Sequence, residues 1–178
     1  MPFAVELFFD TQAEKQICDA WKAIQKAGIG SSLLDAGYRP HVSLGVCSRI
    51  EPSAFEAELS TFAENVAPFP LTLSSVGIFP GVEGVIFLGA TVTERLLDVH
   101  AALHKIFKTH AGEQSEHYAV GNWVSHCTLA FGLSEPQIAE AMSICRGIPL
   151  PVSTEVKEIG LMEVSPDSCQ TLCLRKLG

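Results

Sequence analysis

Two short stretches hold the residues best suited to chemistry. "YRPHVSLGV" (38–46) sets His41 and Ser43 two positions apart, and "WVSHCTLAF" (123–131) does the same with His126 and Thr128. Both otherwise read as apolar β-strands. Strand side chains alternate between faces, so His41 and Ser43 point one way and Val42 and Leu44 the other. His126 and Thr128 oppose Cys127 and Leu129 in the same manner. Brought around one point, two imidazoles and two hydroxyls suit a tetrahedral anion. Opening a phosphodiester without a metal needs a base for water, an acid for the departing oxygen, and donors for the phosphoryl oxygens. An ordinary imidazole pKa of about 6.5 lets one ring be neutral and the other protonated near neutral pH. Taken singly, each stretch is no more than a polar strand face.

The elements around these stretches decide whether they can meet. "AVELFF" (4–9) reads as a strand. "TQAE" (11–14) reads as a capping box opening a helix with Ile17, Ala20, Trp21 and Ile24 on one face, and Gly28 ends it. The His41 strand follows, then a helix from Pro52 with Phe55, Leu59 and Phe62, then a strand through "LTLSSVGIF". The second half repeats this order. A strand at "GVIFLGATV" leads into a helix from about Thr93, a polar loop over 109–122 and the His126 strand. A capping box at "SEPQ" opens a short helix, one long strand runs through "STEVKEIGLMEV", and a last strand lies at "CQTLCLRK".

The halves also match at points. "AVELFF" pairs with "GVIFLG", "HVSLGV" with "HCTLAF" and "VGIF" with "IGLM", at offsets of 80, 85 and 83 residues. So steady an offset argues for duplication of one supersecondary unit. The expected fold is α+β, a single bilobal domain over 1–178 with repeat halves 1–80 and 81–178. It comprises duplicated β-α-β-α-β lobes, two antiparallel-type sheets around a central cleft, helices outside and pseudo-twofold symmetry. The two histidine strands then lie near the axis.

Composition narrows the function classes. The 178 residues are 47% hydrophobic and 18% charged, which is ordinary globular composition, and the length suits one sizeable core. A net charge of −8 disfavours a long polyanion held by phosphate contacts and leaves a small anionic ligand in a local pocket. The N-terminus lacks a basic region and a long apolar run, and no window approaches a membrane span, so a cytoplasmic location without membrane attachment is expected. The six cysteines form no C-x-x-C pair and read as reduced, mostly buried thiols.

One H-x-[S/T]-x in each half of a duplicated chain of this size, "HVSL" and "HCTL", resembles the two-histidine (2H) phosphoesterase superfamily. That superfamily includes the 2′-5′ RNA ligases, also called RNA 2′,3′-cyclic phosphodiesterases, and a nucleotide-binding domain of kinase-anchoring proteins. The resemblance implies His41 and His126 as the catalytic pair, His41 donating and His126 accepting the proton. Ser43 and Thr128 would donate to the phosphate, with no metal and no organic cofactor. The implied activity is hydrolysis of a 2′,3′-cyclic phosphate on a small nucleotide or RNA end, by a monomer. The alternatives are a non-catalytic module binding an AMP-like ligand and formation of 2′-5′ RNA linkages. RNA-directed members commonly carry a basic residue soon after the second motif, where this chain has "AFGL"; that departure favours a small phosphodiester over polymer RNA.

Tyr38 and Trp123 each lie three positions before a motif histidine. They either line the cleft mouth and stack on a base or pack at the rim. Arg39 reads as a solvated loop residue, or else as a phosphate donor. His100 and His104 are four apart on a helix but "HAALH" lacks the glutamate of a zinc motif, so both read as surface histidines. His110 and His117 receive no role. The loops at 29–40 and 109–122 are candidate substrate-contacting flaps.

Overall fold

The computed structural model describes residues 1–30, 32–79, 81 and 84–178. Apolar residues at helical spacing, separated by runs of alternating polarity, fold these residues in the order β1 (Phe3–Phe8), α1 (Thr11–Lys26), β2 (His41–Cys47), α2 (Pro52–Glu64), β3 (Phe69–Phe79) and β4 (Gly84–Ala90). Then come α3 (Glu94–His110), a 3-10 turn (Glu116–Tyr118), β5 (His126–Leu133), α4 (Glu135–Cys145), β6 (Val152–Val156), β7 (Glu158–Ser165) and β8 (Ser168–Lys176). Two antiparallel four-stranded sheets result, ordered β2-β1-β7-β8 and β5-β4-β3-β6. Helices α2 and α3 pack against the first sheet, α1 and α4 against the second. The histidine strands β2 and β5 each end a sheet and lie against one another, so they do meet at the centre.

The α+β architecture with a duplicated core is as the sequence implied, but the sheets do not follow the halves. β3 leaves the first half to pair with β4, and β7 leaves the second to pair with β1. The segment expected as one long strand, 153–164, is therefore two strands in two sheets. They part at Lys157, whose amide donates to the Phe8 carbonyl. The register also corrects one anchor. Glu6 lies opposite Ser43 as Phe87 lies opposite Thr128, and Phe8 opposite His41 as Gly89 opposite His126. β1 and β4 thus correspond one residue away from the string match of "AVELFF" to "GVIFLG". The "VGIF" and "IGLM" anchor holds, because Gly77 faces Phe87 and Gly160 faces Glu6. A Cβ on Gly77 would stand 2.4 Å from the Phe87 ring, so glycine is what lets that ring lie across the strand.

The first helix is capped one residue earlier than its capping-box spelling suggests. The Asp10 carboxylate accepts from the Gln12 and Ala13 amides, leaving no capping task for Thr11. The same carboxylate accepts from the Glu155 amide and the Thr154 hydroxyl, tying α1 to β6. Gly28, at φ 70°, takes the left-handed conformation that ends the helix. The second capping box is present at Ser134 and Gln137. Among the described residues, no helix is long and apolar enough to cross a membrane.

Candidate active site

His41 opens β2 and His126 opens β5, and the two rings are held alike. Nδ1 of His41 lies 2.7 Å from the Arg39 carbonyl, and Nδ1 of His126 lies 2.7 Å from the Val124 carbonyl. A carbonyl can only accept, so Nδ1 carries the proton in each neutral ring and Nε2 presents a lone pair. Both rings line one cavity of about 240 Å³ together with Ser43, Thr128, Tyr38 and Glu6. An adjoining space of about 510 Å³, bounded by Phe79, Phe131, Tyr118 and Asn122, also reaches His126 and Thr128. The strand-face argument thus brings together all four motif side chains. Both flap loops contribute, Leu33 and Tyr38 from the first and Tyr118 from the second.

Matched contacts brace the strands. Trp21 donates through Nε1 to the Thr128 carbonyl (3.0 Å), and Trp123 donates to the Ser43 carbonyl (3.0 Å). Trp123 is therefore a strut and not a wall of the cleft: its indole stacks on the His100 ring at 4.0 Å between centroids. Tyr38 does line the cavity, stacked over His41 at 5.9 Å, with its hydroxyl donating to the Ser165 carbonyl. The expectation that His100 and His104 lie at the surface is overturned. His100 is 2% exposed and donates to the Tyr118 carbonyl, while His104 donates to the Leu44 carbonyl. Arg39 is half-exposed and is not aimed at the cleft. It bridges Glu14 (2.5 Å) and Glu158 (3.0 Å) over the Phe8 ring. All six cysteines are free thiols, and four of them, Cys47, Cys127, Cys145 and Cys173, are buried.

Comparison with known proteins matches this arrangement to a family. A sequence model of the 2′-5′ RNA ligase superfamily matches residues 12–167. The chain belongs to that superfamily, the 2H phosphoesterases. Among solved structures, LigT of E. coli in its apo form is 18% identical with a TM-score of 0.66, covering 99% of this chain and 96% of its own. TT0787 of Thermus thermophilus is 16% identical with a TM-score of 0.62, covering 99% and 98%. Usb1 of Kluyveromyces marxianus is 12% identical with a TM-score of 0.54, covering 96% of each chain. No curated protein matches by sequence.

The sequence reading of this 2H phosphoesterase missed two residues of the cleft. Glu6 is 1% exposed, with one carboxyl oxygen 3.4 Å from Nε2 of His41 and the other buried without a hydrogen-bond partner. Its signal was present: a carboxylate in mid-strand of "AVELFF" is the same kind of anomaly as a histidine in "HVSLGV". Tyr118 lines the cavity with Ser43 from the loop, and nothing in the polar stretch 109–122 marked it.

Burial sets the electrostatics of the superfamily site. It pushes Glu6 up to about 8, with Arg39 opposing weakly. It pushes His41 down to about 4 against the hydrogen bond to Arg39, and holds His126 below its ordinary value, helped by His41. Tyr118 is raised by the same desolvation, so its hydroxyl keeps its proton as a donor. In the free protein at neutral pH, Glu6 holds a proton and both rings are neutral.

Proposed function

We propose that this 2H phosphoesterase hydrolyses a 2′,3′-cyclic phosphate on a small nucleotide or an RNA end, with His126 as general base and His41 as general acid. The observation that carries the reading is the matched pair of imidazoles, each fixed through Nδ1 so that Nε2 faces one cavity. Nε2 of His126 takes a proton from water as its oxygen bonds to phosphorus. The opposite P–O bond breaks, and its oxygen leaves with a proton from Nε2 of His41. Ser43, Thr128 and Tyr118 donate to the phosphoryl oxygens as charge builds on them.

Ligands of the relatives support a nucleotide in such a cleft: LigT structures hold 3′-AMP or phosphate, and a Usb1 structure holds uridine monophosphate. The aromatic side of the larger space, with Phe79, Phe131 and Tyr118, suits a base. Among the described residues, none lining either space is Lys or Arg, which suits one negative charge better than a phosphorylated polymer.

The test is turnover of nucleoside 2′,3′-cyclic phosphates in EDTA, with products resolved by chromatography. Turnover is expected to survive EDTA and to fall about 10²- to 10⁴-fold in His41→Ala and in His126→Ala. No turnover by the intact protein, or turnover untouched by both substitutions, removes the reading. One observation favours a second reading, a non-catalytic nucleotide-binding module: burial leaves neither imidazole protonated in the free protein. Calorimetry with AMP distinguishes them, since that module binds AMP and turns over no cyclic phosphate.

A further inference from the structure

The two lobes present the same imidazole, Nδ1 clamp and hydroxyl, and differ in what stands across the strand from the hydroxyl. Opposite Ser43 stands Glu6; opposite Thr128 stands Phe87. The Phe87 ring lies 5.2 Å from that of His126, and Phe79 closes the same side at 4.9 Å. One histidine therefore faces a carboxyl and its counterpart faces hydrocarbon. We propose that Glu6 is a positioning residue that holds, against Nε2 of His41, the proton that His41 delivers to the leaving oxygen.

The geometry supplies each part. Nδ1 of His41 is committed to the Arg39 carbonyl, so the lone pair at Nε2 is what Glu6 meets. At 3.4 Å the contact is too long for a strong hydrogen bond, so Glu6 does not tie up Nε2 and a phosphate oxygen can approach it. The second Glu6 oxygen is buried without a partner, which penalises an ionised carboxylate and favours the acid. The groups around Glu6 are His41 and Ser43 on β2, Tyr38 and Arg39 before it, Tyr118 on the 3-10 turn, and the Cys127 and Cys169 thiols. Arg39 alone of these is charged at neutral pH, and it is neutralised by Glu14 and Glu158.

The proton count closes. In the free protein the pair is a carboxylic acid and a neutral imidazole, holding one transferable proton. A phosphodiester anion entering beside Nε2 favours the imidazolium, and the proton crosses from Glu6 to His41. As the P–O bond breaks, the leaving oxygen takes this proton from Nε2, leaving Glu6 as carboxylate. His126 has meanwhile gained the proton of the attacking water. Exchange of one proton from His126 to Glu6 through solvent restores the start.

This inference rests on the proposed phosphodiesterase reading, and its test separates the two. The profile of kcat/KM against pH for a 2′,3′-cyclic nucleotide is expected to lose its basic limb near pH 8 in the intact protein, where burial places the Glu6 ionisation. In Glu6→Gln that limb moves down toward the His41 value near 4, so activity at pH 8 falls at least about 10-fold and the loss relative to the intact protein is at least about 10-fold smaller at pH 5. Glu6→Asp keeps a titratable proton and restores the limb, which guards against a Gln variant that folds poorly. A basic limb unmoved in Glu6→Gln, or an equal loss at every pH, overturns the role of Glu6. A readout without substrate is the ¹⁵N resonance of His41, which steps near pH 8 in the intact protein and loses that step in Glu6→Gln. An intact protein showing the step but no turnover sinks the phosphodiesterase reading and keeps the Glu6–His41 pair; absence of the step sinks the pair.

Discussion

Glu6→Gln also has a consequence for stability that needs no substrate. A carboxyl that ionises at 4.5 in the open chain and near 8 in the folded one binds an extra proton in the fold across that interval. Stability then falls as pH rises, by about 1.4 kcal/mol for each pH unit, or roughly 5 kcal/mol when the interval is spanned. His41 works in the opposite sense. Its folded value near 4 lies below the ordinary 6.5, so the unfolded chain binds the extra proton and stability rises with pH between those values. His100, held near 4 by the same desolvation, adds a second rising slope over that interval, so stability rises with pH up to about 6.5 and falls along the Glu6 slope above it. The intact protein should thus be most stable near pH 6.5 and lose roughly 2 kcal/mol from there to pH 8.

Glutamine removes the carboxyl without changing its size. It leaves an amide in a poorly partnered pocket, a penalty of about 1–3 kcal/mol that does not vary with pH. Every other titrating group is shared, so the difference between the two stability curves isolates Glu6. Urea unfolding from pH 5 to 8.5 should show Glu6→Gln gaining on the intact protein by about 3–5 kcal/mol, whatever its offset at pH 5. That change is large against a total of about 5–15 kcal/mol, and thermal melts should move by about 10 °C. Curves parallel to within about 0.5 kcal/mol would refute the protonated buried carboxyl, and the proton store built on it.

Asp10→Ala should lower stability by about 1–2 kcal/mol in urea unfolding, since it removes the cap of α1 and its ties to Thr154 and Glu155. Burial alone would raise Asp10, but these hydrogen bonds hold it below its ordinary 3.8. The stabilisation is therefore present above that pH and lost below it, and the penalty of the substitution should vanish in acid. Trp21→Phe and Trp123→Phe each strip a donor from a strand carbonyl and should each cost roughly 1–3 kcal/mol in the same assay.

The motif residues were legible because strand alternation is local: once His41 and Ser43 sit in a strand, their shared face follows from a period of two. The sequence left Trp123 between cleft mouth and rim because its position three before His126 says where its Cα lies and nothing of where its indole turns. The indole donates to the Ser43 carbonyl, a partner 80 residues away. His100 and His104 failed for the opposite reason. Each was measured against a metal motif, while their role is to donate to main-chain carbonyls at Tyr118 and Leu44 that no local pattern exposes. Glu6 was overlooked because its strand was read for its apolar residues alone.

The strand exchange explains why a repeat visible in sequence builds one site instead of two. If each half closed on itself, β3 would sit beside β1 or β2, and the two polar faces would be set only by how two separate lobes docked. Instead β3 completes the sheet of β4 and β5, and β7 completes the sheet of β1 and β2. The helices follow: α1 from the first half covers the second sheet, and α3 from the second covers the first. Trp21 and Trp123 add a hydrogen bond in each direction, ending on the residues Thr128 and Ser43 whose side chains face the cavity. The distance between the two imidazoles is thus fixed by backbone pairing and buried packing that cross between halves. That rigidity lets the lobes diverge beside the histidines: with the frame shared, Glu6 and Phe87 can differ without disturbing how His41 and His126 face each other. A symmetric frame and an asymmetric pair of neighbours are together what acid and base roles require of two otherwise identical rings.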